Sequence, residues 1–218
     1  MGGIGGYSGI LLNDRSSNDS GLDEMARPAA FDRDEVLLEA MGVFWRQGYG
    51  ATSVKDLEAA TQLRPGSLYA AFDSKRNLFE QSLEVYFDHL RHQVRGLLRG
   101  GATPLDGVRQ FFRVLAEDLT GDREHKGCLM VNSLLEIPAE DQEIQPRLSA
   151  MFQEIEGEFR AVLERARTGG ELPPERDPAE LARLVMTGIF GLRVYSRTAH
   201  GRDGVDVVAR QLLSLIED

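Results

Sequence analysis

The sequence predicts an all-α fold of about nine helices. Apolar residues recur at three- and four-residue spacing along most of the chain, and no alternating strand pattern with hairpin turns interrupts them. Glycine, proline and capping residues fall between those stretches, where helices begin and end. The chain has 218 residues, 28% charged and 42% hydrophobic, which suits one or two globular domains with a full core. Cys128 is the single cysteine, so no intramolecular disulfide framework or cysteine-rich zinc module is available. A lone thiol also fits a reducing compartment. The most apolar stretch, 181–195, is broken by Arg183, Gly188, Gly191 and Arg193 and is too short for a membrane span. Residues 1–24 are rich in Gly, Ser, Asn and Asp and lack the basic start of a signal peptide. They read as a disordered leader or extension before a plausible natural start at Met25, and a cytoplasmic protein is expected.

The first helix is expected from Asp32, with Glu35 three residues on as in a capping box. Val36, Leu37, Ala40, Met41, Phe44 and Trp45 form its apolar face, and Gly48 sits at its C-cap. Thr52 is a good N-cap for a short second helix through Val54, Leu57 and Ala60 to Thr61. The turn Thr61-Gln62-Leu63 leads to a third short helix across Pro65–Ala71, with Pro65 in its first turn. Asp73 or Ser74 caps a long fourth helix ending near Gly100-Gly101. Five more helices follow: Pro104 to about Thr120, Gly127 to Ile137, Asp141 to about Thr168, Pro178–His200, and one from Asp203 or Asp206 to Ile216. Gly121 breaks the first of these, and Pro146 threatens the start of the third.

The net charge of −10 argues against general affinity for nucleic acid. It is unevenly spread: residues 1–24, 25–75 and 76–218 carry −3, −1 and −6. Any DNA contact must therefore come from a focused patch in the near-neutral middle block. Residues 52–75 supply a candidate. Two short helices joined by a three-residue turn match a helix-turn-helix, whose second helix enters the major groove by its N-terminal end. Arg64 is placed to donate to guanine or phosphate, and Ser67 and Tyr69 to phosphate. Pro65 starts the helix, and Gly66 permits close backbone approach. Lys75 lies near the next helix start, where a cation and free N–H groups suit phosphate.

The stretch Phe31–Phe79 resembles the DNA-binding domain of the TetR family of transcriptional regulators. The matching residues are Phe44, Gly48-Tyr49 and Thr52, then Val54, Leu57, Ala60, Leu63, Ser67-Leu68-Tyr69, Phe72, Ser74-Lys75 and Leu78-Phe79. Gln62 departs from the Gly frequent in the family's turn. Ala71 replaces a common His, removing one phosphate contact. The resemblance implies an N-terminal DNA-binding domain over 25–75 and a regulatory and dimerisation domain over 76–218. It further implies a homodimer on a palindromic double-stranded operator, usually a repressor, released by an effector. Two recognition helices must then lie roughly 34–36 Å apart to enter successive grooves.

In the regulatory half, Lys126 to Glu136 is similar to a GCL…E segment in one branch of the family, which includes members responding to electrophiles, oxidants or metal stress. Cys128 sits near a helix start with Arg123, His125 and Lys126 close in sequence, which favours a thiolate. It is either a redox or electrophile sensor or a buried packing residue. His89 and His92, with His125 and Cys128, share i, i+3 spacing and form a weaker soft-metal alternative. Phe87, Phe111, Phe112, Phe152, Phe159, Phe190 and Tyr195 are expected to pack the core, some of them lining a pocket. Leu181, Leu184, Val185, Gly188, Ile189, Gly191, Leu192 and Tyr195, with Val208, Leu212, Leu215 and Ile216, are the expected dimer face. No cofactor is expected. The competing functions are a helical-bundle enzyme, for which no GxSxG, HExxH or P-loop signature is present, and an adaptor without DNA binding.

Overall fold

The computed structural model describes residues 31–122, 126–198 and 201–217. Among them the chain forms nine helices: α1 Arg33–Gln47, α2 Val54–Thr61, α3 Pro65–Phe72, α4 Lys75–Gly100, α5 Pro104–Gly121, α6 Leu129–Glu136, α7 Ile144–Thr168, α8 Pro178–Tyr195 and α9 Gly201–Glu217. The all-α expectation is met. The expected leader over 1–24 lies outside the described residues. The chain divides into two compact units, one ending at Tyr86 and the next starting at Phe87, so the division falls inside α4.

In the first unit, the Asp32 carboxylate accepts the N–H groups of Asp34 and Glu35 and starts α1. Gly48 ends it at a positive φ (83°) that glycine adopts freely, its N–H donating to Phe44 O. All six residues expected on the inner face of α1 are buried, with Val43 as a seventh. Phe44 packs edge-on against Phe79 of α4 at 5.0 Å between centroids, and Trp45 against Tyr86 at 5.0 Å. Such pairs add about 0.5–1.5 kcal/mol to the area they bury. Leu57 of α2 and Leu68 and Phe72 of α3 complete this core.

The N-cap of α2 is Ser53, not Thr52. Ser53 and Asp56 make a reciprocal capping box, while the Thr52 hydroxyl turns inward and donates to Gly48 O at 2.5 Å. The Ser53 hydroxyl and N–H both donate to the Asp56 carboxylate and hold it below the usual carboxylate range. Helix α3 runs one residue further than expected, to Phe72. Ser74 opens α4, its Oγ accepting the N–H of Asn77.

In the second unit, α5 buries Leu105, Val108, Phe111, Phe112, Leu115 and Leu119. Phe111 meets Phe159 of α7 at 4.9 Å, and Phe152 of α7 meets Phe190 of α8 at 5.0 Å. Five expected boundaries shift. Gly121 is the last residue of α5 rather than a break before it. Gly127 has φ 65°, which no right-handed helix admits, so α6 starts only at Leu129. Asp141 accepts the N–H groups of Glu143 and Ile144, and α7 starts at Ile144. Pro146 then lies in its first turn, where a missing N–H costs nothing. Helix α8 ends at Tyr195, short of His200, which lies outside the described residues, and α9 begins at Gly201 ahead of both expected aspartates.

The expected dimer face divides. Leu181, Val185, Ile189, Leu192 and Ile216 are buried within the subunit, whereas Tyr195, Val208 and Leu215 are exposed, with Val194 and Val207 beside them. Of the expected core aromatics, Phe87, Phe111, Phe112 and Phe159 are buried, Phe152 and Phe190 are half-buried, and Tyr195 is exposed.

Two features of this unit are testable. A Cβ at Gly107 would lie 2.3 Å from Leu98 O, so the α4–α5 crossing admits only glycine there. Gly107→Ala must push two backbones apart and should cost about 1–3 kcal/mol, read as a lower denaturant midpoint. Asp118 is partly buried, and desolvation raises its pKa to about 6 despite the charge of Arg193, with Glu117 and Asp122 pushing the same way as burial. Its folded pKa exceeds its unfolded one, so the associated stability is present at low pH and lost as pH rises through about 6. Asp118→Asn should melt above the parent chain at pH 7.5, with the gap closing near pH 4.

Candidate nucleic-acid interface

Helix α3 has eight residues, and the order of its side chains decides what it shows to solvent. Leu68 and Phe72, four apart, are buried; Arg64, Pro65, Gly66 and Ser67, ahead of them, are all exposed. The helix N-cap is Arg64, with extended backbone (φ −72°, ψ 154°) and no side chain bonded across the helix end. Arg64 O instead accepts the N–H groups of Ser67 and Leu68, each at 3.0 Å. Pro65 occupies the first helical position, where its fixed φ favours the turn. Among the described residues nothing lies within 4 Å of a Cβ at Gly66, so its backbone is open to approach. Among the described residues, no side chain pairs with the guanidinium of Arg64 or the hydroxyls of Ser67 and Tyr69.

The turn before α3 is sharp. Gln62 adopts a left-handed conformation (φ 57°, ψ 17°), the geometry that makes glycine frequent at this point in the family's turn. Its side-chain amide donates to Ala59 O at 2.6 Å, which helps a non-glycine residue hold the position. Tyr69 lies half-buried in the second turn of α3. Lys75 is the first residue of α4, and its Nζ lies over the Tyr49 ring at 4.5 Å. Of the DNA-contact candidates read from the sequence, Thr52 is the one whose side chain is turned into the unit. It is 2% exposed and its proton is committed to Gly48 O.

Arg33 was not among the sequence-derived candidates. Its guanidinium reaches the end of α3, a contact spanning 38 residues that no local pattern announces.

In the second unit, Cys128 is the N-cap of α6 and is 3% exposed. The adjoining turn is ordered by Asp122, which accepts the N–H of Gly127 at 2.9 Å, and by Asn132, whose amide donates to Lys126 O at 2.7 Å. Arg197 of the segment after α8 donates to Asn132 Oδ1 at 3.0 Å. His89 and His92 lie on α4, half-buried and exposed. His125 lies outside the described residues, and among those described no group of three or more His, Cys, Asp or Glu is placed to hold a metal ion. No described helix is long and apolar enough to cross a membrane.

Residues 36–81 match the family of bacterial regulatory proteins of the tetR type, and residues 104–212 match a tetracyclin repressor-like C-terminal domain. The HTH-type transcriptional repressor ComR of Escherichia coli is 29% identical over 191 residues, covering 87% of this chain and 90% of that protein. The HTH-type transcriptional regulator YezE of Bacillus subtilis is 30% identical, covering 82% and 93%. Among solved structures, a cysteine mutant of the TetR family regulator CifR, complexed with 26-bp double-strand operator DNA, superposes with a TM-score of 0.78. It is 35% identical, and the match covers 87% of this chain and 98% of that one. Reduced NemR of E. coli, at 15% identity and a TM-score of 0.76, shares the fold. The chain belongs to the TetR family, whose members are DNA-binding transcriptional regulators and not enzymes.

Proposed function

We propose that the protein is a cytoplasmic, homodimeric repressor that binds a palindromic operator and is released by an effector acting on the C-terminal unit. The observation that carries this reading is the N-terminal end of α3, where Arg64, Pro65, Gly66 and Ser67 are exposed together while the other side of the helix is anchored by Leu68 and Phe72. In this reading Arg64 reaches a base edge or phosphate, Gly66 lets the backbone close on the groove, and Ser67, Tyr69 and Lys75 hold phosphates. Thr52 shapes the turn from within. The operator-bound CifR structure and the repressor relative ComR support the DNA and repressor parts.

Dimerisation is assigned to α8 and α9. Val194, Tyr195, Val207, Val208 and Leu215 are large apolar residues left exposed in the single chain, and a second copy would cover them. The resemblance of the GCL…E segment supports a response to electrophiles, oxidants or metal stress, and in this reading Cys128 is the reacting group. Because the thiol is buried, a reagent reaches it only when the ordered turn over 126–128 opens.

Arg64→Ala and Tyr69→Phe should each weaken operator binding while the dimer persists in sedimentation. Losing one phosphate contact lowers the slope of log affinity against log salt by about 0.9. Unchanged affinity at several salt concentrations in both variants would remove the contact assignment. Cys128→Ser should bind the operator as the parent does and no longer be released by a thiol oxidant. Release that persists in Cys128→Ser makes this cysteine a packing residue.

A further inference from the structure

Arg33 opens α1 and acts at the opposite end of the domain's sequence. Its Nη1 donates to the carbonyl oxygen of Ala71 at 2.7 Å, and its Nη2 donates to Gln81 Oε1 at 2.8 Å. The guanidinium carbon lies 4.4 Å from the centroid of the Phe72 ring. Ala71 belongs to the last turn of α3, where carbonyls have no partner within the helix. Tyr69 O takes the N–H of Asp73 and Phe72 O that of Ser74, and Ala71 O takes Arg33. The connection then continues along α4. Gln81 Nε2 donates to Asn77 Oδ1 at 3.1 Å, and Asn77 Nδ2 donates to Asp73 Oδ2 at 3.2 Å. Asp73 is the residue that ends α3, held at φ 60°, so the chain of bonds closes on the α3–α4 corner where it began.

A cation at a helix C-terminus also answers the partial negative charge gathered there. Arg33 therefore caps α3 from another helix, by charge, by a hydrogen bond and by stacking at once. We propose that Arg33 is a positioning residue for operator recognition: it fixes the attitude of α3, and so of Arg64–Ser67, without touching DNA. The inference rests on α3 being the groove-entering helix. The geometry makes the effect large. An eight-residue helix is about 12 Å long, so a tilt of about 10° about its C-terminal end moves its N-terminal end by about 2 Å. A hydrogen bond to a base edge is lost within a much smaller displacement.

The test uses the full chain and an operator fragment, at a temperature well below the melting point of every variant. Arg33→Ala should bind the operator at least about tenfold more weakly. Its binding to random-sequence DNA, and the salt slope of operator binding, should match the parent. Arg33→Lys retains a donor for Ala71 O but not the fork to Gln81, and should recover part of the loss. Amide exchange at Leu68–Phe72 should quicken in Arg33→Ala while Leu57 keeps its protection. Should Arg33→Ala not fold, Gln81→Leu removes one arm of the fork and keeps the charge, and is expected to show a smaller loss confined to the operator. Parent-like operator affinity in the folded variant tested overturns the proposal. So does a salt slope reduced by about 0.9, which marks a direct phosphate contact by Arg33. Arg64→Ala is measured alongside. No loss there strikes the groove-entry reading itself, whereas loss there with none on removing Arg33 or its fork strikes the positioning role alone.

Discussion

Helix α3 is too short to be stable alone: eight residues cannot offset the cost of nucleating a helix in water. It exists because Leu68 and Phe72 are removed from solvent in the core that also buries Leu57 of α2. That burial is the constraint from which the rest of the DNA-binding unit follows. Fixing two side chains four residues apart fixes the rotation of the helix about its axis, and the residues ahead of them then have no interior to enter. The exposure of Arg64–Ser67 is thus a by-product of packing, and the same apolar contacts that fold the unit also aim it.

Much of this was legible because it is local. The apolar face of α1 could be written from its spacing, and the caps Asp32 and Gly48 announced its ends through residue type alone. The one misplaced cap in the motif was decided by a signal also present in the sequence. Thr52 and Ser53 are both good caps, but only Ser53 has a carboxylate three residues on, at Asp56. The displaced start of α6 follows from Gly127, whose positive φ is a property of the folded turn and not of its composition.

What the sequence withheld is non-local. Helical spacing says that Ile189 and Leu215 are apolar, but not that one lies inside the subunit and the other on its surface. Both are written in the same 3.6-residue code. Arg33 and Gln81 look like ordinary surface residues until the chain brings them to Ala71. Asp118 is one more acid in an acidic chain until burial separates it from the others. The polar residues of most consequence here owe their roles to neighbours that lie far away in the chain.

The bond from Arg33 to Ala71 also bears on how the domain responds to heat. Helices loosen from their ends inward, and Arg33 is the first residue of α1. The earliest part of that helix to fray is therefore the part that steadies the final turn of α3. With α3 as the groove-entering helix proposed above, warming would blunt sequence discrimination while the buried Phe44, Phe72 and Phe79 still hold the unit together, so selectivity for one site would go before the fold.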